Sequence, residues 1–353
     1  MTHILGIDIG TTNIEYALAD DSGKIIFEKL TPNPLSRYGL DVMTRITRAN
    51  EGKLDEMCDL LRETLRDDIR TILKKSACLI TDLLSINIAA NTTMVHILMD
   101  YDCKQLGSFP FSPVHTEAVK TDSKALGLTD EIPVLVNITR GFSAYVGGDI
   151  YSGLKTLPSC DDMLFIDMGT NAEMVLMLGS EMFITSAAAG PAFETCAKGH
   201  ASDAIDGLAK MLSTGIMDET GLLSDEYFDN GYDCNGIHFS QKKIRDFQMA
   251  KSAIRTGIDL LISQVGDDIT GALQVYVAGN FGFNIDTDNC ISLGMFPSWF
   301  KGKTTAVGNT SLKGTVISSS DDHLKELEDK KIREIYLADL PDFNELYISN
   351  MNF

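Results

Sequence analysis

Two short stretches carry residue types and spacings that could do chemistry: Asp8-Ile9-Gly10-Thr11-Thr12-Asn13 near the start, and Asp167-Met168-Gly169-Thr170-Asn171 in the second half. Each delivers a carboxylate at the end of an apolar run, turns the chain on a glycine, and presents threonine hydroxyls and successive backbone N–H groups from the turn. That is a cradle for a phosphate with a carboxylate beside it. Two such corners facing one another across a cleft can hold a polyphosphate from both sides, with Asp8 and Asp167 sharing a Mg²⁺ mostly through its waters. Without the cation two facing carboxylates would repel, and at least one pKa would rise. Either corner alone reads as well as an ordinary tight hairpin. Their recurrence does not, because a turn has no need of Asp at the same offset twice.

The elements that must position these corners also recur. "HILGIDI", "NIEYALAD" and "KIIFEKL" read as three short strands, and "MLFIDM", "AEMVLML" and "EMFITSA" read as three more, with turns at matching places. An internal duplication follows, and with it two related halves. Helical patterns fall at "YGLDVMTRITRA", "KLDEMCDLLRETLRDDIRTILKK", about 93–101, 240–265 and "DDHLKELEDKK", and strands at "LLSINIAA" and "LQVYVAG". Halves of this kind form mixed α/β sheets flanked by helices, with a cleft between them. The expected division is 1–155 and 156–353.

Composition narrows the class. A formal charge of −20 argues against nucleic acid and against an anionic membrane, which are bound through clustered Lys and Arg. The seven cysteines show no C-x-x-C pair and no zinc spacing, so reduced, mostly buried thiols are expected. No run reaches the ~18 apolar residues of a membrane span and the start has no secretory pattern, which predicts a soluble, cytoplasmic protein. "FKGKTT" at 300–305 fails as a P-loop because Pro297 stands where the first glycine is required, and no G-x-G-x-x-G follows a first strand.

The ordered motifs "GIDIGTTNIEYALADDSG", "GFSAYVGGDIYSG", "FIDMGTNAEMVL" and "VYVAGNFG" resemble the superfamily of acetate and sugar kinases, heat-shock cognate proteins and actin. Adding "NPLSRYGLDVMTRI", "NTTMVHILMDYD", "SAAAGPAFE", "VGNTSLKG" and "LPDFNELYISNM", the chain resembles the nucleotide-binding part of the reductive activators of corrinoid proteins over essentially its whole length. The resemblance implies duplicated ribonuclease H-like, actin-like ATPase halves and the cofactors ATP and Mg²⁺. It departs in one respect: the C-x4-C-x2-C spacing of the iron–sulfur domain in full-length activators is absent. Ser186-Ala187-Ala188-Ala189-Gly190 likewise lacks the cysteine that related dehydratase activators place there. No iron–sulfur cluster is therefore expected in this chain, and electrons would come from a separate protein.

The resemblance also implies roles. Gly10, Thr11, Thr12 and Asn13 would hold the terminal phosphates on one side, with Gly169, Thr170 and Asn171 on the other, and Gly190 would also belong to the nucleotide-binding set. Asp8 and Asp167 would orient the metal, and Asp149 would polarise the attacking water or hydroxyl. Lys251, Arg255, Gly279, Asn280, Gly282 and Asn309 would line the adenosine pocket. Lys251 and Arg255 read equally as solvated surface charge, Asp149 and Asn91 equally as helix-capping residues. The function this predicts is an ATP-hydrolysing activator whose nucleotide-driven domain motion enables reduction of a corrinoid protein or corrinoid-dependent methyltransferase; pairing as a homodimer is a further implication. A small-molecule phosphotransferase and a non-enzymatic nucleotide switch or maturation factor stand as the alternatives.

Overall fold

A computed structural model describes residues 2–130, 132–160, 162–190, 192, 201–279, 285–317 and 321–353. Strands β1 (His3–Ile9), β2 (Asn13–Asp20), β3 (Ile25–Pro32), β4 (Leu83–Ala90), β5 (Val119–Asp122) and β6 (Leu135–Ile138) form one mixed sheet in the order β3-β2-β1-β4-β6-β5. Strands β7 (Asp162–Met168), β8 (Ala172–Leu178), β9 (Glu181–Ala187), β12 (Gln274–Ala278), β13 (Thr304–Gly308) and β14 (Lys331–Glu334) form the other, in the order β13-β12-β7-β8-β9-β14. A small hairpin of β10 (Tyr232–Cys234) and β11 (Ile237–Phe239) stands apart.

The duplication read from the sequence is a duplication of topology. In each sheet a three-stranded antiparallel meander is extended from its first strand by a parallel one, β4 beside β1 and β12 beside β7. Each central strand is nearly all apolar because both of its faces are covered: Leu5, Ile7 and Ile9 in β1 and Leu164, Phe165 and Ile166 in β7 have no exposed surface. Chain polarity then carries Asp8 and Asp167 to the carboxyl ends of these strands, at the edge of the apolar layer.

Ten helices complete the described residues: α1 (Val42–Arg48), α2 (Leu54–Ser76), α3 (Thr92–Met99), α4 (Gly148–Leu154), α5 (Ala201–Ser213), α6 (Gln241–Ser263), α7 (Thr287–Ser292), α8 (Thr310–Val316), α9 (Asp321–Glu328) and α10 (Phe343–Ser349). The two long ones bury stripes at helical spacing, Met57, Leu61, Leu65, Ile69 and Ile72 from α2 in one core, and Ile244, Phe247, Ile254, Ile258 and Leu261 from α6 in the other. Met174 and Met177 are core.

The chain divides into two compact units, 1–158 with 310–328, and 159–309 with 329–353. The return of 310–328 to the first unit rests on glycines. A β-carbon on Gly6 would collide with Thr315, and one on Gly314 with the Ser152 backbone, so α8 lies directly on β1 and α4. Asn87 Nδ2 donates to the Thr315 carbonyl (2.7 Å), Lys155 Nζ to the Gly314 carbonyl (2.9 Å) and Ser152 Oγ to the Ser311 carbonyl (2.8 Å). The six cysteines described are free, and Cys58, Cys103, Cys234 and Cys290 are buried. Among the described residues no helix is long and apolar enough to cross a membrane.

Candidate functional site

The first corner is held from behind by one segment. Asn33, which follows β3, donates from Nδ2 to the Gly10 carbonyl (2.7 Å) and from its backbone N–H to the Thr12 carbonyl (2.8 Å). Arg45, on α1, reaches back and donates to the Thr11 carbonyl (2.6 Å). Three successive carbonyls of the turn are thus bound. Because a trans peptide sets N–H opposite C=O, the N–H groups of Thr11, Thr12 and Asn13 each point away from the donor that binds the preceding carbonyl. Thr12 is exposed, and Gly10, Thr11 and Asn13 are half-buried. A side chain on Gly10 would crowd the Asn13 carbonyl at 2.9 Å.

Two further loops close on this turn within the same unit. Asn91 caps α3, its Oδ1 accepting from Met94 N at 2.9 Å, while its Nδ2 donates to Thr11 Oγ1 at 3.3 Å. The capping role is therefore real, and it also ties the helix to the corner. Gly147, before α4, packs where a β-carbon would fall 2.5 Å from Asn91 Cα, which brings α4 and Asp149 against the same junction. Asp149 retains some exposed surface, but protein surrounds its carboxyl: burial pushes its pKa up to about 6 against hydrogen bonds from the Ile150 N–H (2.9 Å) and its own. A carboxyl ionising there can accept a proton near neutral pH.

The second corner uses backbone where the first uses side chains. Gly169 N donates to the Asn171 carbonyl (2.8 Å), and Gly190 N, at a φ of 76°, donates to the Thr170 carbonyl (2.7 Å). Gly190 thus joins Gly169, Thr170 and Asn171 at one turn. Gly279, at a φ of 91°, lies against the same strand end: a β-carbon there would stand 2.8 Å from Asp167 Oδ1, and its N–H bonds to the Gly308 carbonyl (3.1 Å), beside Asn309. Backbone this close to Asp167 is what a ligand approaching over the strand end needs. Asn280 and Gly282 lie outside the described residues.

Both corners hold a like-charge pair that the sequence reading missed. In register Asp8 faces Glu15 across β1–β2, and Asp167 faces Glu173 across β7–β8. Carboxylates directly opposite on one face disfavour an antiparallel pair unless a cation or a proton intervenes. Among the described residues no three His, Cys, Asp or Glu side chains form a metal cage. A donor set of one or two carboxylates with otherwise water-filled positions fits Mg²⁺, which dehydrates reluctantly.

Lys251 and Arg255 lie on α6. Lys251 is not on a solvated face: it is buried, its Nζ bonds to the Asn352 carbonyl and lies 5.3 Å from the Phe353 ring centre. Burial, with Arg255 nearby, pulls its pKa down to about 8. Arg255 pairs with both carboxylate oxygens of Asp259 at 2.9 Å. Among the described residues their bonds run to Asn352 and Asp259, not to the second corner.

The family model for the RACo middle region matches residues 4–158, and that for the C-terminal domain of RACo, the ASKHA domain, matches 161–210 and 199–353. The chain belongs to the RACo family. The corrinoid activation enzyme RamQ of Eubacterium limosum is 26% identical over an alignment covering 99% of this chain and 70% of that protein. A solved reductive activator for corrinoid, iron–sulfur protein superposes with a TM-score of 0.87 at 25% identity, covering 100% of this chain and 66% of the other. The chain thus spans about two thirds of the length of that solved RACo relative. The actin-like, ASKHA fold expected from the motifs is the fold observed.

Within the RACo middle region, the residues sequence reasoning passed over are Glu15, Asn33 and Arg45. Asn33 and Arg45 sit in the stretch "NPLSRYGLDVMTR", whose only local signals were a Pro turn and a short helix. Nothing in that pattern says that its ends bond to Gly10 and Thr11.

Proposed function

We propose that this chain binds and hydrolyses ATP with Mg²⁺ and that the nucleotide cycle drives reductive activation of a corrinoid protein, or of a corrinoid-dependent methyltransferase, with electrons from a separate carrier. The observation that carries the reading is the paired corner: two turns of the same residues, each at the carboxyl end of the central strand of its sheet and each backed by satisfied carbonyls, in a chain matched along its length by RACo models. In this reading Gly10, Thr11, Thr12, Asn13, Gly169, Thr170, Asn171 and Gly190 hold phosphates, Gly279 and Asn309 hold the adenosine side, and Asp8 and Asp167 orient Mg²⁺. Bound Mg²⁺ would neutralise phosphate charge. Asp149, already poised near neutral pH, takes the proton of the attacking water.

An uphill one-electron reduction needs coupling, since each ~59 mV of gap is about tenfold in the equilibrium constant. Differential affinity of the partner for nucleotide states supplies it. ATP turnover is the test. Purified corrinoid protein should accelerate hydrolysis while sugars and carboxylic acids leave it unchanged. Phosphate transfer to any small acceptor would instead establish the phosphotransferase alternative.

A further inference from the structure

Among the described residues Arg45 is the largest side chain that the protein encloses completely. Among the described residues its bonding partners are neutral: the Thr11 carbonyl at 2.6 Å, the Gly39 carbonyl at 3.0 Å and Met94 Sδ at 3.4 Å. Asp41, the N-cap of α1, is the carboxylate whose field reaches it, and it bonds instead to Thr44. Burial pulls the guanidinium down to about 10, so it remains charged at neutral pH. A buried cation without a bonded counter-ion is unfavourable. We propose that Arg45 is a positioning residue for polyphosphate at the first corner, directing the turn's N–H groups toward the ligand and supplying the positive charge that a bound diphosphate or triphosphate tail neutralises.

Geometry supports this. With Asn33, Arg45 binds three consecutive carbonyls of the turn, and each planar trans peptide then points its N–H away from the donor on its carbonyl. Among the described residues the arrangement is not duplicated: at the second corner the Thr170 carbonyl accepts from a neutral donor, the Gly190 N–H. Arg45 places its charge directly behind the carbonyls of the first corner. Asn91, bonded to Thr11 Oγ1, fixes the same turn from the α3 side without adding charge.

This inference rests on the nucleotide reading above, and calorimetry on the full chain separates the two. The probes are Mg·ATP, Mg·pyrophosphate and adenosine; the variants are Arg45→Gln and Arg45→Lys. Arg45→Gln should weaken Mg·ATP and Mg·pyrophosphate about tenfold or more, the scale of one charge-assisted bond, and leave adenosine within about twofold. Arg45→Lys should recover most of the loss. Equal loss for all three probes would mean Arg45 only braces the fold, and unchanged pyrophosphate affinity would overturn the proposal while leaving the nucleotide reading intact. A wild-type chain that binds none of the probes would overturn both. Should Arg45→Gln fail to fold, hydrogen exchange on the wild type decides: Mg·pyrophosphate must slow exchange in 10–13 and in 37–48 together, and slowing confined to 10–13 overturns the proposal.

Discussion

Gly279 and Asp167 come so close that a single added methyl group would stand 2.8 Å from the Asp167 Oδ1 and collide with the Met168 carbonyl. Gly279, the residue that follows β12, is thereby laid on the carboxylate near the end of β7. Gly279→Ala adds this overlap to the strain of an L-residue at a φ of 91°. We expect a loss of roughly 1–3 kcal/mol in stability and a drop in nucleotide affinity larger than any loss of folded fraction explains. Denaturant titration beside calorimetry measures both.

Asp167→Ala should remove most of the Mg²⁺ dependence of ATP binding, and Asp8→Ala should do the same at the first corner. Titrating ATP with and without Mg²⁺ checks this. An affinity unchanged in the Asp167 variant would count heavily against the metal role.

The facing carboxylates Asp8 and Glu15 oppose each other in the metal-free protein. Glu15→Gln should stabilise that form by about 0.2–1 kcal/mol, the scale of a cross-strand charge pair, and the gain should shrink when Mg·ATP is added. Thermal unfolding with and without ligand reports it.

Asp149 has its pKa raised to about 6 by burial. Between the ordinary carboxylate range and pH 6 the folded state holds a proton that the unfolded state has released, so stability falls as pH rises through that window. In Asp149→Asn this part of the slope should vanish. Its turnover should fall by about 10²–10⁴-fold with ATP affinity retained. A variant as active as wild type would remove Asp149 from the proton transfer.

Gly314→Ala would drive a methyl group into the Ser152 backbone. We expect α8 to be displaced from α4, with about 1–3 kcal/mol lost. Proteolysis that opens first near 310–328 would mark the release of this segment from the first unit.

Much of the architecture was legible because it is locally written. The meander strands are short apolar runs that end in turns, and the stripes of α2 and α6 repeat with the 3.6-residue period that a solvent boundary imposes on a helix. β1, β2 and β4 fall where the apolar runs placed them. The short strands β5, β6, β13 and β14, of four or five residues each, show too few periods to stand out, and α8 is only seven residues long.

By itself the sequence determined the duplication, the two Asp-Gly-Thr corners and the family, because each is carried by neighbours along the chain or by motifs in fixed order. Only the tertiary structure decided that Arg45 and Asn33 grip the first turn, that Gly279 lies on Asp167, that residues 310–328 return to the first unit, and that Lys251 is enclosed by the C-terminal segment instead of facing water. These are contacts between residues far apart in the chain. Their energies come from packing and from hydrogen bonds whose donors and acceptors are common to many segments, so no local pattern singles out which will meet.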